Sequence, residues 1–166
     1  MKRRKFLIFG SLFGLLPYIN AKTITSFKKE FQEVGATIGS VQEHLFPSAS
    51  KIPSAKSMGV TTFLFETINH KSYDRDIRAF VLEGARELEI RQKGKFTLLS
   101  KEDKERALRE YEETRYGKNW LSRIMTITME GLFSDPIYGS NKNEAGWVAL
   151  ESYGGEPRAK SRYVEL

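Results

Sequence analysis

Apolar residues recur at steps of three and four along most of the chain, a spacing that predicts amphipathic helices. The first apolar stripe covers residues 27–45, and a second helix is expected from about residue 53 or 57 to residue 69. Asp74 is placed to cap a third helix, and Ser100 opens a fourth with a capping-box pattern. A fifth helix carries the apolar residues between 120 and 128. No run with strand periodicity is long enough to predict a sheet, so the pattern predicts an all-α domain of about five helices.

The side chains that these stripes place in the core are large and aliphatic or aromatic. On the first three predicted helices they are Phe27, Phe31, Val34, Ile38, Val41, Leu45, Val60, Phe63, Leu64, Ile68, Ile77, Phe80, Val81, Ala85 and Leu88, with Thr67 and Gly84 on the same inward faces. The fourth helix is very polar and offers only Ala107, Leu108 and Tyr111, and the fifth offers Trp120, Leu121, Ile124 and Ile127.

Residues 128–155, here called the aromatic loop, form an irregular C-terminal arm that departs from the helical pattern. Asp135 precedes Pro136, which disfavours helical backbone at Asp135 and removes a backbone donor at Pro136. Glycines at 139 and 146 predict further turns. The loop nevertheless carries large apolar side chains, namely Phe133, Ile137, Tyr138 and Trp147. Such a loop either packs on its own domain or contacts another chain, and both alternatives stay open.

The N-terminus has the plan of a signal peptide over residues 1–21, followed by a mature domain over residues 22–166. A basic segment precedes a 14-residue apolar run, and Ala21 provides the small residue at the expected cleavage point. Since a membrane-spanning helix needs about 20 apolar residues, cleavage is favoured over anchoring. Arg3 and Arg4, followed after Lys5 by Phe6-Leu7, resemble the twin-arginine export motif without its preferred Ser or Thr. A general secretory signal is the alternative, and the Phe-Leu pair favours the twin-arginine interpretation.

Charge and composition exclude several classes of function. Four of the 27 basic residues lie at positions 2–5, so the remaining 23 nearly balance the 21 acidic residues and do not indicate nucleic-acid binding. The chain has no cysteine, which excludes disulfides and thiolate ligation. His44 and His70 lack the spacing of a metal motif and are expected near helix ends. The residues after Asn141 do not match an EF-hand calcium loop.

A family resemblance rests on the aromatic loop. The residues that carry it are Glu130-Gly131, Phe133-Ser134-Asp135-Pro136, Tyr138-Gly139, Asn141 and Gly146-Trp147. They resemble the signature of the gluconate 2-dehydrogenase subunit 3 family, the small subunits of membrane-bound, flavin-dependent sugar and sugar-acid dehydrogenases. Ser140 departs from the pattern, because the family usually has a second glycine there.

The resemblance implies a small periplasmic subunit with no catalytic residue and no cofactor of its own. It implies as partners a large FAD-containing catalytic subunit and a multihaem cytochrome c subunit, reached after passage through the twin-arginine export machinery. The substrate would be a sugar or sugar acid, chosen by the large subunit. An independent enzyme and a solitary periplasmic helical protein are the two alternatives.

We expect the aromatic loop to be the contact surface with the catalytic subunit. The residues predicted at this interface are Phe133, Asp135, Tyr138, Asn141 and Trp147. Aromatic side chains of this kind are frequent anchors of protein interfaces. The alternative for Trp147 is packing inside its own domain.

Overall fold

The computed structural model describes the backbone of residues 16–162 and the side chains of residues 27–162. Within that range the chain forms six α-helices and no strand, as the all-α prediction requires. They are α1 (Leu16–Leu45), α2 (Val60–Asn69), α3 (Arg75–Arg91), α4 (Lys101–Glu112), α5 (Arg115–Phe133) and α6 (Ala145–Ala149). Short 3₁₀ turns occur at Phe96–Leu98, Pro136–Tyr138 and Lys142–Glu144.

Helix α5 is the centre of the domain, because it contacts each of the other five helices. Most of the predicted apolar positions meet around it in one core, and Val60 packs in a second, smaller cluster with Leu132. Trp120, Ile124 and Ile127 of α5 are buried there, together with the stripe of α1 and the apolar positions of α2 and α3. Tyr111 anchors the polar helix α4 by donating from its hydroxyl to the Gly84 carbonyl oxygen at 3.1 Å. The predicted core is therefore confirmed, with Leu45, Ile77, Phe80 and Leu121 only partly buried at its edge.

The predicted helix caps are confirmed as well. Asp74 accepts a hydrogen bond from the Asp76 N–H at 2.7 Å, and Ser100 accepts one from the Asp103 N–H at 3.1 Å. These bonds satisfy backbone donors that the first turn of a helix leaves without a partner. The second helix starts later than expected, at Val60. The reason is Gly59, whose φ of +70° interrupts the helical backbone just before it.

Buried polar side chains join three helices inside the core. Gln42 of α1 donates to the Thr128 hydroxyl of α5 at 3.1 Å and accepts from the Thr61 hydroxyl of α2 at 2.7 Å. Thr128 in turn donates to the Ile124 carbonyl oxygen at 2.6 Å. Since every partner in this chain of bonds is satisfied, the network fixes the register of α1 and α2 against α5.

The predicted signal peptide lies largely outside the described residues. Arg3, Arg4, Phe6 and Leu7 belong to that segment, and Ala21 falls within the backbone of α1. Cleavage after Ala21 therefore stays a prediction. Across the described residues, every helix is too short or too polar to cross a bilayer.

Close packing of α3 on α5 generates a stability prediction. A Cβ atom at Gly84 would overlap the indole ring of Trp120, whose N–H donates to the Val81 carbonyl oxygen at 3.0 Å. Gly84→Ala is therefore expected to lower the free energy of unfolding by about 1–3 kcal/mol despite the better helix propensity of alanine. Urea unfolding followed by circular dichroism measures this. Glu83→Ala, at the neighbouring exposed position, is the control and should change stability by less than about 0.5 kcal/mol. Equal stability of the two variants would contradict the packing argument.

Candidate functional site: the aromatic loop and the groove beside it

The end of α5 leaves backbone carbonyl groups without helical partners, because no further turn follows Phe133. The aromatic loop supplies the missing donors. The side-chain amide of Asn141 donates to the Ser134 carbonyl oxygen at 2.8 Å, and the indole N–H of Trp147 donates to the Phe133 carbonyl oxygen at 2.7 Å. The Ser134 hydroxyl donates to the Gly131 carbonyl oxygen at 3.3 Å. Side chains of the loop thus form a long-range C-cap for α5.

Asn141 holds the loop together from a fully buried position. Its φ of +48° lies in the left-handed region, which Asn tolerates better than most residues. Its side-chain oxygen accepts the Gly146 N–H at 2.8 Å. Gly146 lies so close to the Leu132 carbonyl oxygen that a Cβ atom would overlap it. The closeness of the loop to the helix end therefore requires both the asparagine and the glycine.

Trp147 is enclosed by its own chain, with 9% of its surface exposed. The guanidinium of Arg158 lies 4.4 Å from its ring centroid, a cation–π contact. Gly154 passes against the same ring, where a Cβ atom would overlap it. Arg158 also forms ion pairs with Glu144 at 2.7 Å and with Asp135 at 3.6 Å. The end of the loop and the segment after it therefore close over Trp147.

Asp135 and Ser140 fix the first turn of the loop. Asp135 accepts the Ile137 N–H at 3.0 Å, as a carboxylate in a tight turn commonly does. Gly139, with φ +86°, takes the left-handed position of the turn. Ser140 needs no positive φ, and its buried hydroxyl donates to the Met58 carbonyl oxygen at 3.1 Å. The departure from the family pattern thus adds a bond to the α1–α2 loop.

An apolar groove of about 510 Å³ lies beside the aromatic loop. Helix α2 forms one wall and the end of α5 the other, with the α2–α3 loop between them, and we call it the α2–α5 groove. Its lining residues are Phe63, Thr67, His70, Ser72, Tyr73, Glu130, Phe133, Ser134 and Tyr138. The last four belong to the signature quoted above. The signature therefore does two things, capping α5 and forming one wall of this groove.

The electrostatics of the groove centre on Glu130. Partial burial against the groove walls raises the pKa of the Glu130 carboxyl, and the positive charge of Arg123 opposes that rise. Burial also raises the pKa of the Tyr73 hydroxyl, with Arg123 lowering it and Glu130 raising it. Among the described residues, no basic side chain lies within salt-bridge distance of Glu130. The Glu130 side chain is exposed, so the groove presents a carboxyl group that solvent still reaches and that burial only partly desolvates.

The five residues predicted at a partner interface fall into two groups. Phe133, Asp135 and Tyr138 are half-buried and keep surface at or near the groove. Asn141 and Trp147 are buried and make the intramolecular bonds described above, so the structure favours the packing alternative for Trp147. Contact with a partner stays a prediction for all five.

The opposite part of the groove was not predicted from the sequence. Thr67, His70 and Tyr73 lie about 60 residues before the signature, and no motif connects the two stretches. His70 follows the last residue of α2 and accepts from the Ser72 N–H at 3.2 Å, so its expected place at a helix end is confirmed. His44 occupies the last turn of α1, 2.7 Å from the Glu105 carboxylate.

His44 and its partner Glu105 lie outside the groove, on α1 and α4. In the part that the structure describes, no group of three or more His, Cys, Asp or Glu side chains is arranged to hold a metal ion. His44 and Arg109 bind the Glu105 carboxylate and lower its pKa. The absence of a cofactor in this chain stays a prediction.

These features define a small all-helical domain whose C-terminal signature caps its central helix and forms a groove. The sequence matches the family described as gluconate 2-dehydrogenase subunit 3 over residues 32–155, well over half of the chain. The chain belongs to that family. Comparisons with curated proteins and with solved structures gave no match.

Asn141 and Asn143 offer a matched test of the cap. Both have left-handed backbones, with φ of +48° and +56°, but Asn141 binds Ser134 and Gly146 whereas Asn143 is exposed. Asn141→Gly is expected to lower the free energy of unfolding by about 2 kcal/mol or more, because it leaves a buried donor and acceptor unpaired. Asn143→Gly should be neutral or slightly stabilising. Because both variants alter the unfolded chain alike, the difference between their free energies of unfolding in urea measures the hydrogen bonds of the Asn141 side chain. Similar stabilities would refute the cap.

Trp147→Ala is expected to lower the free energy of unfolding by about 3–5 kcal/mol, since it removes a large buried ring and its hydrogen bond to Phe133. Thermal unfolding followed by circular dichroism measures the loss. Tyr153→Ala is the control, because Tyr153 is an aromatic residue that is 78% exposed in the same arm. If the Trp147→Ala chain melts like the wild type but no longer binds its partner, Trp147 is an interface residue and the packing interpretation is wrong.

Proposed function

We propose that this chain is the non-catalytic small subunit of a flavin-dependent gluconate or sugar dehydrogenase complex. In this proposal it escorts the catalytic flavoprotein subunit through export and stabilises it in the periplasm. The flavoprotein holds the FAD and oxidises a sugar or sugar acid. A multihaem cytochrome c subunit receives the electrons at the membrane, and the chain itself holds no cofactor.

The observation that carries the proposal is the match to the subunit 3 family over residues 32–155. The family name describes a dehydrogenase subunit, which supports assembly with a dehydrogenase over a solitary role. The N-terminal Arg3-Arg4 pair and the Phe6-Leu7 pair support the export step, because the twin-arginine route carries proteins that are already folded. Two subunits that assemble before export need only one signal peptide, which this chain would provide for both.

The aromatic loop is consistent with a role in stabilising a partner. Two signature side chains bind the backbone of the chain itself. The Asp135 carboxylate accepts the Ile137 N–H, and the Asn141 amide donates to the Ser134 carbonyl oxygen. Residues used in this way make a rigid surface. A rigid surface loses little conformational entropy on association, which favours tight binding.

The export step is tested by changing Arg3 and Arg4 together to lysine, which keeps the charge of the segment. Both this chain and the flavoprotein are expected to stay in the cytoplasm, as measured by fractionation and immunoblotting of each subunit. Lys2→Arg with Lys5→Arg is the control and should leave export intact. If the flavoprotein reaches the periplasm in cells that lack this chain, the escort role is wrong.

A further inference from the structure

We propose that the α2–α5 groove binds a segment of the catalytic flavoprotein that presents an apolar side chain next to a lysine or arginine. The inference rests on the proposed function and names the surface and the chemistry of its contact. Phe63 and Phe133 form apolar walls, and Glu130 provides the anionic group at the edge.

The apolar surface extends beyond the groove along α5. Met125 and Met129 are 42% and 45% exposed, and they precede Phe133 at intervals of four residues. Residues at this spacing lie on one face of a helix. The face of α5 that leads to Phe133 therefore carries exposed methionines next to the groove, an extended apolar surface that suits a length of polypeptide. Methionine side chains adapt to different partner surfaces, which also suits a protein contact.

The charge of the site favours a basic partner. Arg123, one nearby cation, lies two helical turns before Glu130 and acts on both Glu130 and Tyr73. His70 and Ser72 at the other edge of the groove bind each other, with His70 Nδ1 2.6 Å from the Ser72 hydroxyl. Glu130 lines the groove and is exposed, so its carboxylate is accessible to an additional ion-pair partner. An arriving lysine or arginine reaches this carboxylate beside the apolar walls of the groove, and their attraction orients the partner segment.

The raised pKa of the Glu130 carboxyl bears on the stability of the isolated chain. Because burial raises its pKa in the folded state, the ionised carboxylate is disfavoured by folding. This contribution is unfavourable at neutral pH and disappears as the pH falls through the raised pKa. A charged residue that the fold tolerates at a cost, at the edge of an apolar groove, is consistent with a role in binding.

Cross-linking from the groove identifies its occupant. The full chain, tagged and co-expressed with the flavoprotein, carries the photoreactive residue p-benzoylphenylalanine in place of Thr67, which lines the groove. Thr62 on the same helix is exposed outside the groove and is the control position. After irradiation, mass spectrometry is expected to find Thr67-position cross-links to a flavoprotein peptide that contains an apolar residue next to lysine or arginine. The Thr62 position should give no such cross-link.

Charge reversal tests the ion pair. Glu130→Lys is expected to weaken retention of the flavoprotein about tenfold or more, as measured by the flavin absorbance held on an affinity column at increasing salt. Glu130→Gln should weaken it less and reduce its salt dependence. The isolated Glu130→Gln chain should melt at the wild-type temperature or above, which separates binding from folding. Glu110→Lys, at an exposed position on α4, should bind like the wild type.

The outcomes separate this inference from the proposed function. A wild-type chain that retains no flavoprotein overturns both. Retention that is unaffected by Glu130→Lys, or a Thr67-position cross-link to the cytochrome subunit, to a second copy or to the chain's own N-terminus, overturns the groove assignment and leaves the proposed function standing. A cross-link to a flavoprotein peptide without a basic residue also overturns the assignment.

Discussion

The free carbonyl groups at the end of α5 are the constraint on which the aromatic loop depends. A buried helix end needs donors for these groups, and α5 ends inside the domain, next to the α1–α2 loop and α6. Asn141 and Trp147 provide the donors from 7 and 14 residues further along the chain. The loop must therefore fold back tightly, which accounts for the left-handed Asn141 and for the close contact of Gly146 with Leu132.

Capping and groove formation follow from the same fold-back. Once the loop lies against the end of α5, Phe133, Ser134 and Tyr138 face α2 and complete one wall of the α2–α5 groove. The residues of the family signature therefore determine the shape of this surface. These residues can be needed together without a catalytic role, because each one supports the wall of the groove that the others form.

Local sequence signals predicted the helices well, because each depends on residues close together in the chain. The apolar stripe of α1 and the caps Asp74 and Ser100 required only the helical period and the donors of one turn. The exceptions had equally local causes. Gly59 delays α2 through its positive φ, and Phe96 is buried in a 3₁₀ turn that has no periodic signal. The arm was expected to be irregular, yet it contains α6 and two 3₁₀ turns.

By itself the sequence determined the all-helical class, the core positions and the family, since periodicity and a contiguous signature are properties of short stretches. Only the tertiary structure decided what the signature residues contact. Trp147 is as large and apolar as an interface residue, and nothing local distinguishes a ring that meets Arg158 and Gly154 from one that meets a partner. Thr67 and Tyr73 likewise come to line one groove with Glu130 only because α2 packs on α5. These residues are far apart in the chain, so no local pattern predicts that they lie close together.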